Sequence, residues 1–328
     1  MKILAHVKAM DGCTYHRIYL PNIKADVRFV TKLTDDDLAW CDILNYSRHI
    51  YESPLFLDEL RKKYGFKIVV DTDDWWETDK DHPKHVWWNN SNIGLQIRQH
   101  LLNADAVTCT GEYLASLVPN KTYIIPNMLP YGDGQFAVRK SRTSDRVRLL
   151  YASTIMNYKN TELIAGAMQR LSHLNIEVVI LGYSENPLFE YLIKYLTADK
   201  KIPFTIVPWA DSKEYMLNYR GDIGIIPSKD SKFNRCKSNI KVLEFASQKI
   251  PVIASKCAPY LDLPIHYASN ENQWVDRITS LVESAELRKK SGEDLYKFCL
   301  NNYDLNKSLD KRYSVYEQII QCSNSYSR

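Results

Sequence analysis

The stretch from Asp222 to Ser255, DIGIIPSKDSKFNRCKSNIKVLEFASQKIPVIAS, decides how the chain is read. Ile223 to Ile226 is a short apolar run, Ile240 to Gln248 has helical spacing, and Pro251 opens a second β-branched run, giving the order strand, loop, helix, strand. The loop is loaded with cations, Lys229, Lys232, Arg235, Lys237 and Lys241. Lys237 and Lys241 stand four apart, where like charges repel on a helix unless an anion lies between them. Ser238 is placed to cap the helix, which leaves the N–H groups of its first turn open to phosphate. Glu244 follows three residues after Lys241 on the same face. A carboxylate there does not serve phosphate but suits the two hydroxyls of a ribose. The segment therefore reads as a nucleotide-diphosphate site. On charge pattern alone, a solvated loop before an amphipathic helix explains it equally well.

The stretch resembles the donor-binding segment of retaining GT-B glycosyltransferases of the family 4 kind, in phage and bacterial form. The likeness lies in its Pro227-Ser228 strand end, its Glu-containing helix and its Pro-Val-Ile-Ala-Ser strand. The resemblance implies an α/β protein of two tandem Rossmann-like domains facing a cleft, with a nucleotide-sugar donor, expected to be UDP-linked, and no metal ion. It gives Glu244 the ribose and sets Lys237 beside the diphosphate. One position departs from the pattern: Cys236 stands where the family often has another Glu, eight residues before the ribose-binding one.

At 328 residues the chain is long enough for two domains with their own cores. A 45% hydrophobic and 25% charged composition is that of a globular protein, and a net charge of +4 permits an anionic partner without demanding one. Seven scattered cysteines without a C-x-x-C pair fit a reducing, cytoplasmic setting rather than a disulfide framework or zinc cluster. The opening MKILAHVKAMDG is too short an apolar run for a signal peptide, and no stable membrane insertion is expected.

Ile3 to Val7 reads as a buried strand, and Asp11-Gly12 turns into Thr14, Tyr15, His16 and Arg17. Gly12 and Arg17 become donor-side candidates, although one Gly without the G-x-G-x-x-G pattern is a weak signal. Apolar runs recur at Val27 to Val30, Ile43 to Tyr46, Phe66 to Val70, Ala106 to Cys109 and Tyr123 to Ile125, which implies a parallel sheet wrapped by helices. Ligands bind just past the C-terminal ends of such strands, so the loop after Val70, DTDDWWETDKDHPKHVWWNN, matters most. Asp71, Asp73 and Asp74 come straight off the strand, where a carboxylate can bind or activate an acceptor hydroxyl. Trp75 and Trp76 offer flat faces, and His82 and His85 lie between tryptophans; the bland alternative makes the indoles core anchors. A D-x-D metal site is the other reading of the acidic triplet.

The first domain is expected over 1–135, joined by a helix at 305–322. A basic linker follows over 136–146, including Arg139, Lys140, Arg142 and Arg146, and the donor-binding domain spans 147–304. In the second domain, Lys159 matches a diphosphate lysine in the resemblance, with Ser153 and Thr154 as added hydrogen-bond candidates. Tyr183 or Trp209 lies at the base side, with core packing favoured for Trp209. Asp73, Asp74, Lys159 and Lys237 are the catalytic candidates. Arg235, Ser238 and Lys241 complete the donor side, and Asp71, Trp75, Trp76, His82 and His85 the acceptor side. The leading acceptor is a hydroxymethylated pyrimidine in phage DNA. A surface glycan or lipid-linked sugar is the alternative, for which the helix expected at 93–102 offers Arg98 and His100 but few apolar residues for an exposed face. A non-catalytic nucleotide-sugar or DNA-binding protein on the same fold is a third.

Overall fold

Short β-branched runs cannot bury both of their faces alone, and here they do so by forming two parallel sheets covered by helices. The computed structural model describes residues 1–80, 82–139 and 144–324, with side chains as far as Gln321. The first sheet joins β1 (Ile3–His6), β2 (Val27–Val30), β3 (Ile43–Ser47), β4 (Lys67–Thr72), β5 (Ala106–Cys109) and β6 (Thr122–Ile124) in the order β2-β1-β3-β4-β5-β6. The second joins β7 (Val147–Ala152), β8 (Ile176–Tyr183), β9 (Phe204–Pro208), β10 (Ile223–Ile226), β11 (Val252–Ser255) and β12 (His266–Ala268) in the order β12-β11-β10-β7-β8-β9. All pairings within both sheets are parallel, Ile3 opposite Ile43 in one and Leu149 opposite Val178 in the other. Strands β1, β10 and β11 are buried along their whole length, as strands with helices on both faces must be.

The helix Leu305–Asn324 returns to the first sheet. Val315, Tyr316 and Ile319 pack with Ile3, Ala5 and Ile43, and the Tyr313 hydroxyl donates to the Pro21 carbonyl at 2.9 Å. Of the basic linker residues, Lys140 and Arg142 lie outside the described residues. Arg139 donates to the Met216 carbonyl at 3.2 Å. Among the described residues, no helix is long and apolar enough to cross a membrane.

Candidate functional site

The C-terminal strand ends of the two sheets face each other across a cavity of about 540 Å³. On the second-domain side, β7 runs into Ser153, Thr154 and Asn157, β10 runs into Pro227 and Ser228, and the helix Ile240–Ser247 brings Lys241 and Glu244 to the wall beside Lys237. On the first-domain side stand Gly12, Cys13 and His16 after β1, Arg48 after β3, and Asp73, Asp74, Trp75 and His82 after β4. Asn127 spans the two, receiving an Arg17 N–H at 3.2 Å and donating to the Ser238 hydroxyl at 2.8 Å.

Glu244 is buried, and both of its oxygens are occupied. Tyr215 donates to one at 2.6 Å; Tyr219 at 2.5 Å and the Lys241 ammonium at 2.9 Å take the other. His16 of the first domain lies 3.6 Å from the carboxylate and 3.0 Å from the Tyr215 hydroxyl. Burial alone would raise the Glu244 carboxyl, but Lys241 and the bonds from His16 and Tyr215 hold it below the usual carboxylate range. Glu244 thus anchors Lys241, Tyr215 and Tyr219 while lining the cavity. The capping expected of Ser238 also changes: Asn239 takes the cap position, while the Ser238 hydroxyl accepts the Ile240 N–H at 3.4 Å.

Lys237 lies at the cavity wall with its ammonium on the Asn157 side-chain carbonyl and 4.9 Å from the Phe233 ring. Burial lowers its ammonium below the ordinary value, against the pull of Asp74 and with the push of Lys241. Across the cavity, burial and then the Asp74 charge push the Asp73 carboxyl up to about 7, opposed by Arg48 and a Cys13 hydrogen bond. Asp73 is 8% exposed, and its Oδ1 finds no protein partner. The donor atoms of Cys13, Asp73 and Asp74 lie within 4.8 Å of one another, with the guanidinium-bearing Arg48 also in the wall.

Several expected site residues are elsewhere. Arg17 and Asp71 are fully buried against each other, Nε to Oδ1 and Nη2 to Oδ2 both at 2.8 Å, with Thr108 donating to Asp71 at 2.5 Å. A fork-to-fork pair whose carboxylate takes a third bond from Thr108 is a structural tie between the strand-following turn and β4, and neither residue lines the cavity. Lys159 points to Glu162, 3.5 Å away, and is outside the cavity wall. Arg235 forks onto Asp230 at 2.6 Å, also outside it. Tyr183 packs edge-on to Phe189, leaving Gly182 and the 57% exposed Trp209 to form the wall there, so Trp209 is not a core residue. Trp76 is buried, its carbonyl accepting the Trp88 indole N–H at 2.8 Å, and His85 is held by Thr78 and Asn89. Cys236 sits in the apolar cluster of Trp75 and Trp76 and presents nothing to a donor sugar.

Sequence reasoning missed Arg48, Asn157, Tyr215 and Tyr219. Arg48 follows β3 directly, the place where strand-end ligands bind, and its φ of 59° is left-handed. Tyr215 and Tyr219, four apart before β10, carried a signal only in combination with Glu244.

No protein-family model matches the chain, and no curated protein matches it in sequence. Solved structures match in fold. HepE from Anabaena in complex with UDP superposes with a TM-score of 0.66 at 11% identity over 97% of this chain and 100% of that one. A glycosyltransferase from Rickettsia africae gives 0.62 at 17% identity, over 90% of this chain and 86% of that one. Sucrose-phosphate synthase from Thermosynechococcus elongatus gives 0.63 at 14%, over 86% and 74%. At these identities the likeness is one of fold, and the fold is that of the GT-B glycosyltransferases.

Proposed function

We propose that the protein is a nucleotide-sugar-dependent glycosyltransferase that transfers with retention, takes a UDP-linked donor and needs no metal ion. The observation that carries this reading is the placing of Lys237 and Lys241 side by side in the wall of a two-domain cavity, at the start of the helix Ile240–Ser247. A diphosphate between the two ammonium groups relieves their repulsion. As the sugar leaves, the same groups stabilise the charge that grows on the departing diphosphate. Asn157 orients Lys237, and Glu244 orients Lys241. Trp209, beside Gly182 and Pro208, offers a flat face to the nucleobase.

The acceptor meets the opposite wall, Asp73, Asp74, Trp75 and His82. A carboxyl that titrates near neutrality is suited to take a hydrogen bond from the acceptor hydroxyl as its oxygen bonds the sugar carbon. The support for UDP is that HepE, matched over its full length, was solved with UDP. The test is a thermal-shift screen against UDP-, GDP-, ADP-, CMP- and dTDP-sugars, followed by nucleotide release from the donor that binds. A shift and turnover with UDP-sugars are expected; no shift and no turnover with any of them overturns the reading. Duplex DNA carrying a hydroxymethylated pyrimidine is assayed alongside as acceptor, its binding followed against salt.

A further inference from the structure

Three neighbouring helices of the first domain turn apolar side chains outward. On Ile93–Asn103 the buried side chains are Ile97, His100 and Leu101, while Leu95 and Leu102, seven apart, share the opposite face. On Pro54–Tyr64, Leu57 and Leu60 are buried while Leu55 and Phe56 point out; on His85–Asn90, Val86 and Trp87 do the same. These six residues are between 49% and 79% exposed. The helices are joined: the Asn103 side chain, next to Leu102, donates to the carbonyl of Pro54, next to Leu55, at 3.1 Å, and the short helix carrying Trp87 leads directly into the one carrying Leu95. Scattered single apolar residues need no explanation, but six on adjoining helices form a face.

Its exposed charge is mainly basic. Lys62, Lys63, Lys80, Lys84 and Arg98 are exposed on and beside these helices, against Glu59 and Glu77 among the described residues. Apolar side chains among cations fit a surface that is apolar beneath and anionic on top. The face also adjoins the cavity, because His82, Lys84 and Trp88 of the same segment line the cavity wall on the acceptor side. We propose that this face docks the protein on an anionic lipid bilayer. Resting on the glycosyltransferase reading, the consequence is that the acceptor is membrane-borne and meets Asp73 from this side.

The experiment is co-sedimentation with vesicles of phosphatidylglycerol and phosphatidylcholine, compared with phosphatidylcholine alone. The proposal expects binding to the anionic vesicles that weakens with salt. It expects a drop of about tenfold or more in Leu95→Glu/Leu102→Glu, and a smaller drop in Lys62→Glu/Arg98→Glu. Both double variants change exposed residues and should keep the wild-type melting curve and the thermal shift with UDP-sugar, so loss of docking is distinguishable from loss of the donor site. Wild-type protein that stays in the supernatant overturns the proposal, as does vesicle binding unchanged in both variants. A dimer in solution that the Leu95→Glu/Leu102→Glu variant abolishes would assign the face to a second copy of the chain. Duplex DNA binding that both variants abolish would assign it to nucleic acid.

Discussion

Asp73 and Glu244 are carboxylates in the wall of one cavity, and their surroundings move them in opposite directions. Asp73 is buried beside Asp74, with an oxygen that nothing donates to, and titrates near 7. The folded protein therefore holds the Asp73 proton more tightly than the unfolded chain does. The stability this gives is fully present below the ordinary value of 3.8 and is lost as pH rises through about 7. Asp73→Asn, neutral at every pH, is expected to raise Tm at pH 8 and leave it unchanged at pH 3.5, with at most about 4 kcal/mol at stake. Equal effects at both values would mean that the shift is absent. Glu244 runs the other way: its lowered value gives stability above the ordinary 4.5 that is lost only in strong acid. Because Tyr215, Tyr219 and Lys241 occupy it, Glu244→Gln is expected to weaken UDP and 2′-deoxy-UDP binding by the same factor, about tenfold, through misplaced Lys241. If the mutation erased a preference for UDP over the deoxy analogue, the carboxylate would instead be binding ribose directly.

At the scale of elements, the turn after β1 shows how much a local backbone choice decides. Residues Tyr15–Tyr19 form a wide π turn, a geometry that recurs at functional sites. It sends His16 across to Tyr215 of the second domain and its neighbour Arg17 into the first-domain core on Asp71. Leaving one partner of such a buried pair uncompensated costs about 3–5 kcal/mol. Arg17→Met is therefore expected to lower Tm markedly with donor affinity per folded molecule unchanged, and Arg17→Met/Asp71→Leu to recover much of the loss. A full-strength fold with lost donor binding would return Arg17 to the site. The strands were legible because a buried parallel strand is a continuous apolar run, and β10 falls on Ile223 to Ile226 as read. β12 escaped notice because His266–Ala268 is three residues of mixed character at a sheet edge. The wall positions of Asp73 and Asp74 followed from strand-end placement, and those of Lys237 and Lys241 from like charges four apart at a helix start. Direction within a turn did not, since periodicity cannot tell His16 from Arg17. Lys159 and Arg235 stand outside the cavity wall for a different reason: each pairs with a carboxylate a few residues away, Glu162 and Asp230.

At the scale of the whole molecule, the cavity exists only because the two domains are held together around it. Some of the ties run through Gln135 and Ser212. Gln135 donates to the Tyr15 hydroxyl at 2.8 Å and to the Ser212 carbonyl at 3.0 Å, and Ser212 donates to the Met10 carbonyl at 2.8 Å. Others lie beside the cavity wall at Trp75: the Ser231 hydroxyl donates to Asp79 at 2.6 Å, and the Lys232 ammonium sits 3.8 Å over the Trp75 ring. These ties join the loop before Lys237 to the tryptophan segment of the first domain, so they link the segments that carry Lys237 and Trp75 into the cavity wall. A cation over an indole contributes about 0.5–2 kcal/mol and a part-buried polar contact about as much, enough to bias opening without setting global stability. Asp79→Ala/Lys232→Ala is therefore expected to leave Tm within a few degrees of wild type while donor nucleotide dissociates about tenfold faster, its association rate little changed. Stopped-flow displacement of a fluorescent UDP analogue reads both rates. With water admitted, the variant should also release sugar to solvent more often per nucleotide consumed. Unchanged dissociation would mean that the Ser231–Asp79 and Lys232–Trp75 contacts do not hold the domains closed on the donor and that the Gln135 and Ser212 ties do.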